Sequence, residues 1–407
     1  MNLTYILYLI LSPLIYLILL FSIPFNSKIR DHWLNQRKTF NEAKKRKYIN
    51  PIIIHAASAG EFEQVKPLLL DYNKKSPIIQ TFFSPTIYNK KRNSSLFDIC
   101  CYHPFDFPWS AFIFFLSLKP KAYIINRHDV WPHFIIIAKL LKIKIFYINA
   151  NLGSDSLRLK YFKTFHSWLF KKINLIITPS IEIQNRFEKK FNLSNIRTLQ
   201  DTRYMQIINR IKINRDVLPS WLKENNNIIL GSIDEKDWEI LKDSLVNISE
   251  KNKIIIVPHE IDYTFIDKIE KDLKELKLVS KRLNSIDENN NFNCLIYDKV
   301  GDLLDIYKYG KGAYVGCGFS GGVHNVLEPL LQGCFVSYGP IIELLDEAIK
   351  LDKYGLGKMI HNKNDFTDFI QKINDDNFLN KNKINVFKKF ELNKNDFNKM
   401  KGIIFDD

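Results

Sequence analysis

Cysteine is scarce in this chain, and its spacing argues against two common roles. The 407 residues include five cysteines, an odd number, and no two of them form a CxxC pair. This pattern disfavours a disulfide framework or a zinc site and makes a reducing cytoplasm the simpler inference. The chain also lacks sequence repeats and low-complexity segments, so it indicates ordinary globular domains.

Negative charge is in deficit. The chain has 44 acidic residues against 59 lysines and arginines, which gives a formal net charge of +15. A basic balance of this size suits nucleic acid, an acidic membrane surface or a phosphorylated substrate, although a solvated lysine-rich surface explains it as well. No nucleic-acid-binding module accompanies the charge, so we expect no nucleic-acid partner.

Charge is absent from the run Leu3–Ile23, which is long enough to cross a bilayer core. The run has no basic segment before it and no small-residue cleavage site, so it predicts a single-pass transmembrane anchor over 1–24 rather than a signal peptide. The alternative is a buried core helix, because Pro13 interrupts the run. The segment after the anchor is basic. This charge predicts that the protein lies in the inner (cytoplasmic) membrane, with anionic lipids as a partner, and that the remaining domains lie on the cytoplasmic side.

The rest of the chain alternates short apolar runs with amphipathic stretches. The runs that predict strands lie at 51–57, 77–83, 121–126, 143–149 and 174–178, and then, after a polar stretch near 205–226, at 227–231, 253–257, 293–297, 312–316 and 334–337. This rhythm predicts an α/β protein with two Rossmann-like, doubly wound domains facing one another across a cleft. We place the N-terminal domain at 25–210, the C-terminal domain at 211–385, and a C-terminal helix at 386–407 that packs back on the first domain.

The first motif that points to chemistry is His55-Ala-Ala-Ser-Ala-Gly-Glu61. It follows an apolar strand and opens a helix, where small residues let a ligand approach the backbone and free NH groups favour an anion. A carboxylate at the C-terminal end of a strand can act as a general base, so Glu61 is a candidate. The alternative is that Glu61 only complements the helix dipole.

The second motif runs from Gly316 to Pro329 and reads GCGFSGGVHNVLEP. A strand again enters a glycine-rich turn and then a helix predicted at 323–332, so the turn amides and the helix start can cradle a phosphate. On that helix, Glu328 would lie one turn past His324, where it can accept hydrogen bonds from ribose hydroxyls. The motif lacks the GK[ST] of a P-loop, and it lies too late in the chain for a dinucleotide fingerprint.

Three further segments end predicted strands and are weaker signals. Val257-Pro258-His259-Glu260 follows one strand, and His259 suits a phosphate or a base. Arg127 and Asp129 follow another strand, and Asn149-Ala-Asn151 follows the next. Each of these can contact a substrate, and each can equally be an ordinary surface or capped loop.

Taken together and in this order, the motifs resemble those of the Kdo (3-deoxy-D-manno-octulosonic acid) transferases, which are glycosyltransferases of the GT-B fold. The resemblance runs from the anchor to about residue 360. The matching pieces are His55–Glu61 (family pattern H-x-x-S-x-G-E), Ser84–Thr86, Asp129-x-Trp131, Asn149-x-Asn151, Asp201–Tyr204, Pro258–Glu260 and Gly321–Glu328. Seven pieces in the family's order are specific, whereas each alone is weak.

The resemblance implies an inverting enzyme that moves Kdo from CMP-Kdo to a lipid A precursor, similar to lipid IVA, in lipopolysaccharide core biosynthesis. It implies Glu61 as the catalytic base, in a loop shaped by Ser58 and Gly60, and Asp129 and Arg203 on the acceptor side. Neither a cofactor nor a metal is expected for the transfer, in agreement with the lack of a DxD motif. The implied CMP-Kdo site consists of Pro258, His259, Gly321, Gly322, His324, Asn325 and Glu328.

The chain departs from the family pattern at four positions. Arg127 stands where the first of two acidic residues is common, Asp129 is a shorter carboxylate in place of the second, and Gln200 and Ile87 stand where glycine is common. Two other interpretations therefore stay open: another GT-B enzyme of envelope biosynthesis with a different nucleotide sugar, or a non-catalytic membrane-bound relative.

Overall fold

A computed structural model of the chain describes residues 2–70, 72, 75–152, 157–224, 227–248, 252–286, 291–343 and 345–406. The chain divides into two compact units. Unit 1 comprises Met1–Gln206 with Asn393–Asp407, and unit 2 comprises Ile207–Leu392. The sequence predicts these boundaries after 210 and at 386. The second boundary comes later in the structure because the helix Asp376–Phe390 buries Val386 and Phe390 and belongs to unit 2.

Unit 1 is built on one parallel sheet. Its strands are β1 (Ile52–His55), β2 (Ile78–Phe82), β3 (Ile99–Tyr102), β4 (Ala122–Asn126), β5 (Lys144–Ile148), β6 (Leu175–Thr178) and β7 (Ile196–Thr198). The helices up to its end are α1 (Leu3–Ser22), α2 (Ser27–Lys45), α3 (Ala59–Leu69), α4 (Pro85–Lys91), α5 (Pro108–Leu118), α6 (Pro132–Leu140), α7 (Leu157–Lys160), α8 (Lys163–Phe170), α9 (Ile181–Phe191) and α10 (Arg203–Ile213).

Unit 2 repeats this plan. Its strands are β8 (Asn227–Ile233), β9 (Ile254–Pro258), β10 (Ser280–Arg282), β11 (Cys294–Ile296), β12 (Gly310–Val315), β13 (Phe335–Tyr338) and β14 (Gly357–Met359). Its helices are α11 (Glu235–Leu241), α12 (Tyr263–Glu275), α13 (Leu303–Tyr307), α14 (Leu327–Leu331), α15 (Asp346–Lys353), α16 (Lys363–Ile373) and α17 (Asp376–Phe390). The last helix, α18 (Lys394–Phe405), returns to unit 1 and buries Met400, Ile404 and Phe405 in its core.

Both sheets are doubly wound, as the sequence predicts. The strand orders are β3-β2-β1-β4-β5-β6-β7 in unit 1 and β10-β11-β9-β8-β12-β13-β14 in unit 2. The central strands read as continuous apolar runs, such as Ile52–Ile54, because helices cover both faces of the sheet. Such a topology brings the loops that follow neighbouring strands together at the carboxyl edge of each sheet.

The apolar pattern of the sequence does not predict the four strands that form the sheet edges, β3, β7, β10 and β14. Three of them contain three residues each and carry a basic residue, so none has the long apolar signature of a strand buried on both faces. The pattern does not predict α2 either, and α10 falls within the stretch near 205–226 that the pattern marks only as polar. Both are amphipathic helices, and their polar faces dominate the local composition.

The N-terminal helix α1 supports the predicted anchor. Among the described residues, one helical segment, Leu3–Phe25, is long and apolar enough to cross a membrane. Most of its apolar side chains are exposed, including Leu14, Leu17 and Phe21, which distinguishes it from a buried core helix. One stripe of α1 packs on unit 1, where the Tyr5 ring lies 5.3 Å from the Trp168 ring.

Candidate active site

Glu61 lies in the first turn of α3, directly after the loop that follows β1. Ser58 is the N-cap residue of α3, and its hydroxyl accepts a hydrogen bond from the Glu61 backbone NH at 3.4 Å. The Glu61 carboxylate turns back and accepts the Ala57 backbone NH at 2.7 Å. The S-x-x-E spacing therefore forms a close variant of the capping box, a signal that is already present in the local sequence. This contact fixes the carboxylate at the carboxyl edge of the sheet.

Burial changes the acidity of Glu61. The residue is only 6% exposed, and burial raises its pKa from the ordinary 4.5 to about 7. The Ala57 NH opposes this rise, the Asp129 carboxylate adds to it, and the His55 and Arg127 charges oppose it. A carboxyl group with a pKa near neutrality can exchange a proton with a substrate at physiological pH.

Asp129 lies in the loop after β4 and is held by His55, the first residue of the HxxSxGE motif, for which the motif alone indicates no role. His55, the fully buried last residue of β1, has its Nε2 at 3.3 Å from Asp129 Oδ2. Its other ring nitrogen, Nδ1, lies 3.0 Å from Thr81 Oγ1 on β2. The ends of β1, β2 and β4 thus fix the position of the Asp129 carboxylate, and the Asp129 side chain remains partly exposed.

Arg127 and Arg203 share one buried carboxylate. Asp201 is 2% exposed, and its Oδ2 lies 3.1 Å from Arg203 Nη2 and 3.7 Å from Arg127 Nη1. The same carboxylate accepts the Arg203 backbone NH at 2.7 Å. Arg127 therefore makes an ion pair inside unit 1. The departure from the family pattern is accommodated by local charge pairing.

The predicted residues of unit 1 come together at one edge of its sheet. Ser58, Gly60 and Glu61 follow β1, Asp129 follows β4, and Arg203 begins α10 after β7. A Cβ atom on Gly60 would meet no described atom within 4 Å, so the space beside this residue is open to a ligand. Asn149, which follows β5, links two of these loops, because its Nδ2 lies 2.8 Å from Asn126 Oδ1 and 2.9 Å from Thr202 Oγ1.

In unit 2 the glycine-rich turn follows β12. A Cβ atom on Gly316 would lie 2.1 Å from the Ser232 carbonyl oxygen, and one on Gly318 would lie 2.6 Å from the Gly339 backbone. Gly322 has a φ of +105°, which side-chain-bearing residues rarely adopt. Gly321 has open space around it. Two glycines therefore pack backbone on backbone, and Gly321 instead leaves the turn accessible to a ligand.

A buried carboxylate from α11 holds this turn in place. Asp237 Oδ2 accepts the Cys317 backbone NH at 2.6 Å, and Asp237 Oδ1 accepts the Tyr314 hydroxyl at 2.7 Å. Burial raises the pKa of Asp237 to about 6, and these hydrogen bonds oppose the rise. The Ser320 hydroxyl also donates to Asp234, the N-cap residue of α11.

His259 and His324 meet beside the turn. Their rings stack with centroids 4.5 Å apart, and Pro258 ends β9 immediately before His259. Burial, then the neighbouring His259, lowers the pKa of His324. The ring nitrogens of both histidines and Cys317 Sγ lie within 4.8 Å of one another, a set that suits a thiophilic metal ion. A second group with that geometry is Asp234, Asp237 and Cys317.

The helix after the turn differs from the prediction. It begins at Leu327 rather than at 323, so His324 and Asn325 lie in the preceding loop, and the expected alignment of His324 with Glu328 on one helix face is wrong. Asn325 instead precedes the N-cap residue Val326, and its Oδ1 accepts the Leu327 NH at 3.1 Å. Glu328 is partly buried and lies 3.7 Å from Arg210 Nη1. The loop amides, rather than a long helix, therefore line this edge.

Comparisons with known proteins agree on one family. Residues 32–206 match the family model described as 3-deoxy-D-manno-octulosonic-acid transferase (kdotransferase). The chain is 30% identical over 317 residues to a 3-deoxy-D-manno-octulosonic acid transferase from Aquifex aeolicus, covering 76% of this chain and 82% of that protein. It is 28% identical over 329 residues to the transferase of the same name from Chlamydia muridarum, covering 74% of each.

Solved structures show the fold. A UDP-GlcNAc 2-epimerase from Neisseria meningitidis has a TM-score of 0.60 at 14% identity and covers 82% of this chain and 94% of its own. A glycosyltransferase from Rickettsia africae has a TM-score of 0.57 at 12% identity, with 88% and 99% covered. Together with the two parallel sheets, they place the chain in the GT-B-like class. The chain therefore belongs to the 3-deoxy-D-manno-octulosonic acid (Kdo) transferase family, and it is a glycosyltransferase that transfers Kdo in lipopolysaccharide biosynthesis.

Proposed function

We propose that the protein moves Kdo from CMP-Kdo to a hydroxyl group of a lipid A precursor similar to lipid IVA, with inversion at the anomeric carbon. The observation that carries this proposal is the state of Glu61. This carboxyl group is held at a strand end beside the open space at Gly60, and its pKa is about 7. A buried carboxylate with this pKa is suited to general-base catalysis.

In the proposed reaction, Glu61 takes the proton from the acceptor hydroxyl as its oxygen forms a bond to the anomeric carbon of Kdo. The bond between that carbon and the phosphate oxygen breaks, and CMP leaves with the electron pair. Asp129 and Arg203 contact the acceptor, and Ser58 holds the Glu61 loop. Charge on the leaving phosphate is stabilised by backbone NH groups and by the neighbouring histidines.

The donor site of this proposal is the carboxyl edge of unit 2. Its glycine-rich turn is held by Asp237 and leaves open space at Gly321, where a phosphate can approach the backbone. The Glu328 carboxylate accepts hydrogen bonds from the ribose hydroxyls. The other proposed donor contacts are Pro258, His259, Gly322, His324 and Asn325.

We further propose that α1 anchors the enzyme as a single-pass helix in the inner membrane and that both units face the cytoplasm. The basic residues of α2, directly after the anchor, support this orientation and favour contact with anionic lipids.

The transfer is proposed to need no metal ion, because a general base and a phosphate leaving group suffice. Full-length enzyme treated with EDTA should keep its rate of Kdo transfer within about twofold. The check is a transfer assay with and without chelator, with removal of metals verified by elemental analysis. Loss of activity that added Zn²⁺ restores would instead assign a catalytic metal to His259, Cys317 and His324.

Asp129→Asn should shift the pH dependence of transfer toward acid. In the wild type, the ionised fraction of Glu61, and hence kcat/KM, rises with pH up to a pKa of about 7. The Asp129 charge helps to raise this pKa, so its removal should move the acid limb to lower pH. The measurement is kcat/KM between pH 5 and 9. An unchanged acid limb of the pH profile would mean that the Asp129 charge does not influence the pKa of Glu61.

The whole proposal is tested by incubating the pure protein with CMP-Kdo and a tetraacyl lipid A precursor and weighing the products by mass spectrometry. We expect a mass increase of one or more Kdo residues and release of CMP. Parallel incubations with UDP-GlcNAc and ADP-heptose serve as controls. Transfer from one of these donors, and none from CMP-Kdo, would refute the donor assignment.

A further inference from the structure

An amphiphilic groove lies in unit 1, where the N-terminal anchor meets the globular part of the unit. It has a volume of about 610 Å³, within the range of sites that hold small ligands. Its walls come from α1, α2, the connection after β3 and α5. None of the proposed catalytic or donor residues lines it. The groove is therefore a feature separate from the transfer site.

Aromatic side chains form the apolar wall of the groove. The Tyr16 ring on α1 lies 5.7 Å from Trp33 and 5.7 Å from Trp109, and the Phe107 and Trp109 rings are stacked 5.1 Å apart. Trp109 is 39% exposed and Ile113, on the same helix, is 53% exposed. Phe107 is buried and Tyr16 and Trp33 are partly buried, so Trp109 and Ile113 form the exposed part of this wall, and soluble proteins rarely expose a continuous apolar patch of this kind.

The apolar wall continues onto surface that a bilayer would cover. Next to Tyr16 on α1, Leu17 and Ile18 are exposed, and on α5 the side chains of Phe112 and Leu116 are exposed. Because α1 is the candidate membrane helix, an acyl chain can enter the groove from the membrane without crossing water.

The opposite wall is basic. Arg37 and Lys44 lie seven residues apart on α2, two helical turns, so they share one face. Neither side chain makes an ion pair with the described residues, and no acidic residue lines the groove. Two exposed cations above an aromatic wall match a phosphate attached to an acyl chain.

We propose that this groove binds one anionic glycerophospholipid of the surrounding bilayer, with an acyl chain against Trp33, Phe107 and Trp109 and its phosphate beside Arg37 and Lys44. A bilayer lipid is favoured over the glycolipid acceptor because the groove is bounded by the anchor itself and shares no residue with the Glu61 site. The proposal depends on membrane insertion of α1 and not on the transfer reaction.

The test uses full-length protein in nanodiscs that contain phosphatidylglycerol with a diazirine in its acyl chain. After irradiation, mass spectrometry locates the cross-links. We expect them at 33–44 and 105–113. In Arg37→Gln/Lys44→Gln, the mole fraction of probe for half-maximal labelling should rise about 25-fold, since each basic residue contributes about fivefold. The matched control is Lys38→Gln/Lys45→Gln, which makes the same charge change on the same helix.

A second pair of variants tests the apolar wall. Ile113→Trp should fill the groove and abolish labelling at 105–113, whereas Phe112→Trp, a neighbour that does not line the groove, should not. Equal labelling in all variants would mean that the probe only contacts the protein surface from the bilayer and is not bound in the groove, which would overturn the proposal. Displacement of the probe by a tetraacyl lipid A precursor, and not by unlabelled phosphatidylglycerol, would overturn it in favour of the acceptor. Labelling needs no turnover, so inactive protein that is still labelled would refute only the proposed reaction.

Discussion

Glu61→Gln should lower kcat for Kdo transfer by about 10²–10⁴-fold while CMP-Kdo still binds. Glutamine can keep the hydrogen bond from the Ala57 NH, but it cannot take a proton from the acceptor hydroxyl. Single-turnover kinetics with CMP-Kdo and the lipid acceptor give the rate of the chemical step, and calorimetry with CMP gives donor binding. Near-normal turnover would mean that Glu61 only caps α3.

The same variant should be more stable than the wild type above neutral pH. Folding raises the Glu61 pKa from 4.5 to about 7, so the fold favours the protonated form. The contribution of this group is fully present below pH 4.5 and is lost as the pH rises through 7. Glutamine stays neutral, so at pH 8 it should avoid a penalty of about 2–3 kcal/mol.

Thermal unfolding at two pH values measures this effect. At pH 8 the melting temperature of the variant should exceed that of the wild type by about 4–8 °C, and at pH 5 most of the difference should vanish. Glu63→Gln is the matched control, since Glu63 lies on the same helix but is partly exposed beside Lys66. A purely structural Glu61 would instead give a less stable variant at both pH values.

The second large effect is expected at Gly316. A methyl group there would lie 2.1 Å from the Ser232 carbonyl oxygen, and the obstacle is backbone that cannot rotate away. Gly316→Ala should therefore cost about 3 kcal/mol or more, and CMP binding should be lost as the turn is displaced. Chemical denaturation and CMP titration provide the two measurements.

Gly321→Ala distinguishes an effect on CMP binding from an effect on folding stability. A Cβ atom on Gly321 has no described neighbour within 4 Å, so this variant should melt at the wild-type temperature. If a donor phosphate approaches the turn at this position, the added methyl group should still weaken CMP binding by about tenfold or more. If Gly321→Ala binds CMP with wild-type affinity, the donor phosphate does not bind beside Gly321. If Gly316→Ala is as stable as the wild type, the close packing of Gly316 against Ser232 is contradicted.

The site was only partly predictable. The HxxSxGE motif is local, and its strand-turn-helix geometry follows from spacing, whereas in the glycine-rich motif spacing predicts the strand and the turn but not the start of the helix. The pairing of His55 with Asp129 cannot be predicted from local spacing, because the two residues lie 74 positions apart and meet only when β1 and β4 become neighbours. The charge sharing of Arg127 and Arg203 around Asp201 likewise requires the assembled sheet, since the first arginine looked only like a departure from the family pattern.

The sequence by itself determined the fold class, the apolar N-terminal helix long enough to cross a membrane, and the order of the motifs. Apolar periodicity and long apolar runs report burial directly, and burial of both sheet faces leaves few alternatives to a parallel α/β sheet. Tertiary structure alone decided the edge strands, the loop position of His324, the pKa of Glu61 and the groove beside the anchor. These depend on what surrounds a residue in space, and desolvation, charge proximity and edge pairing have no fixed signature along the chain.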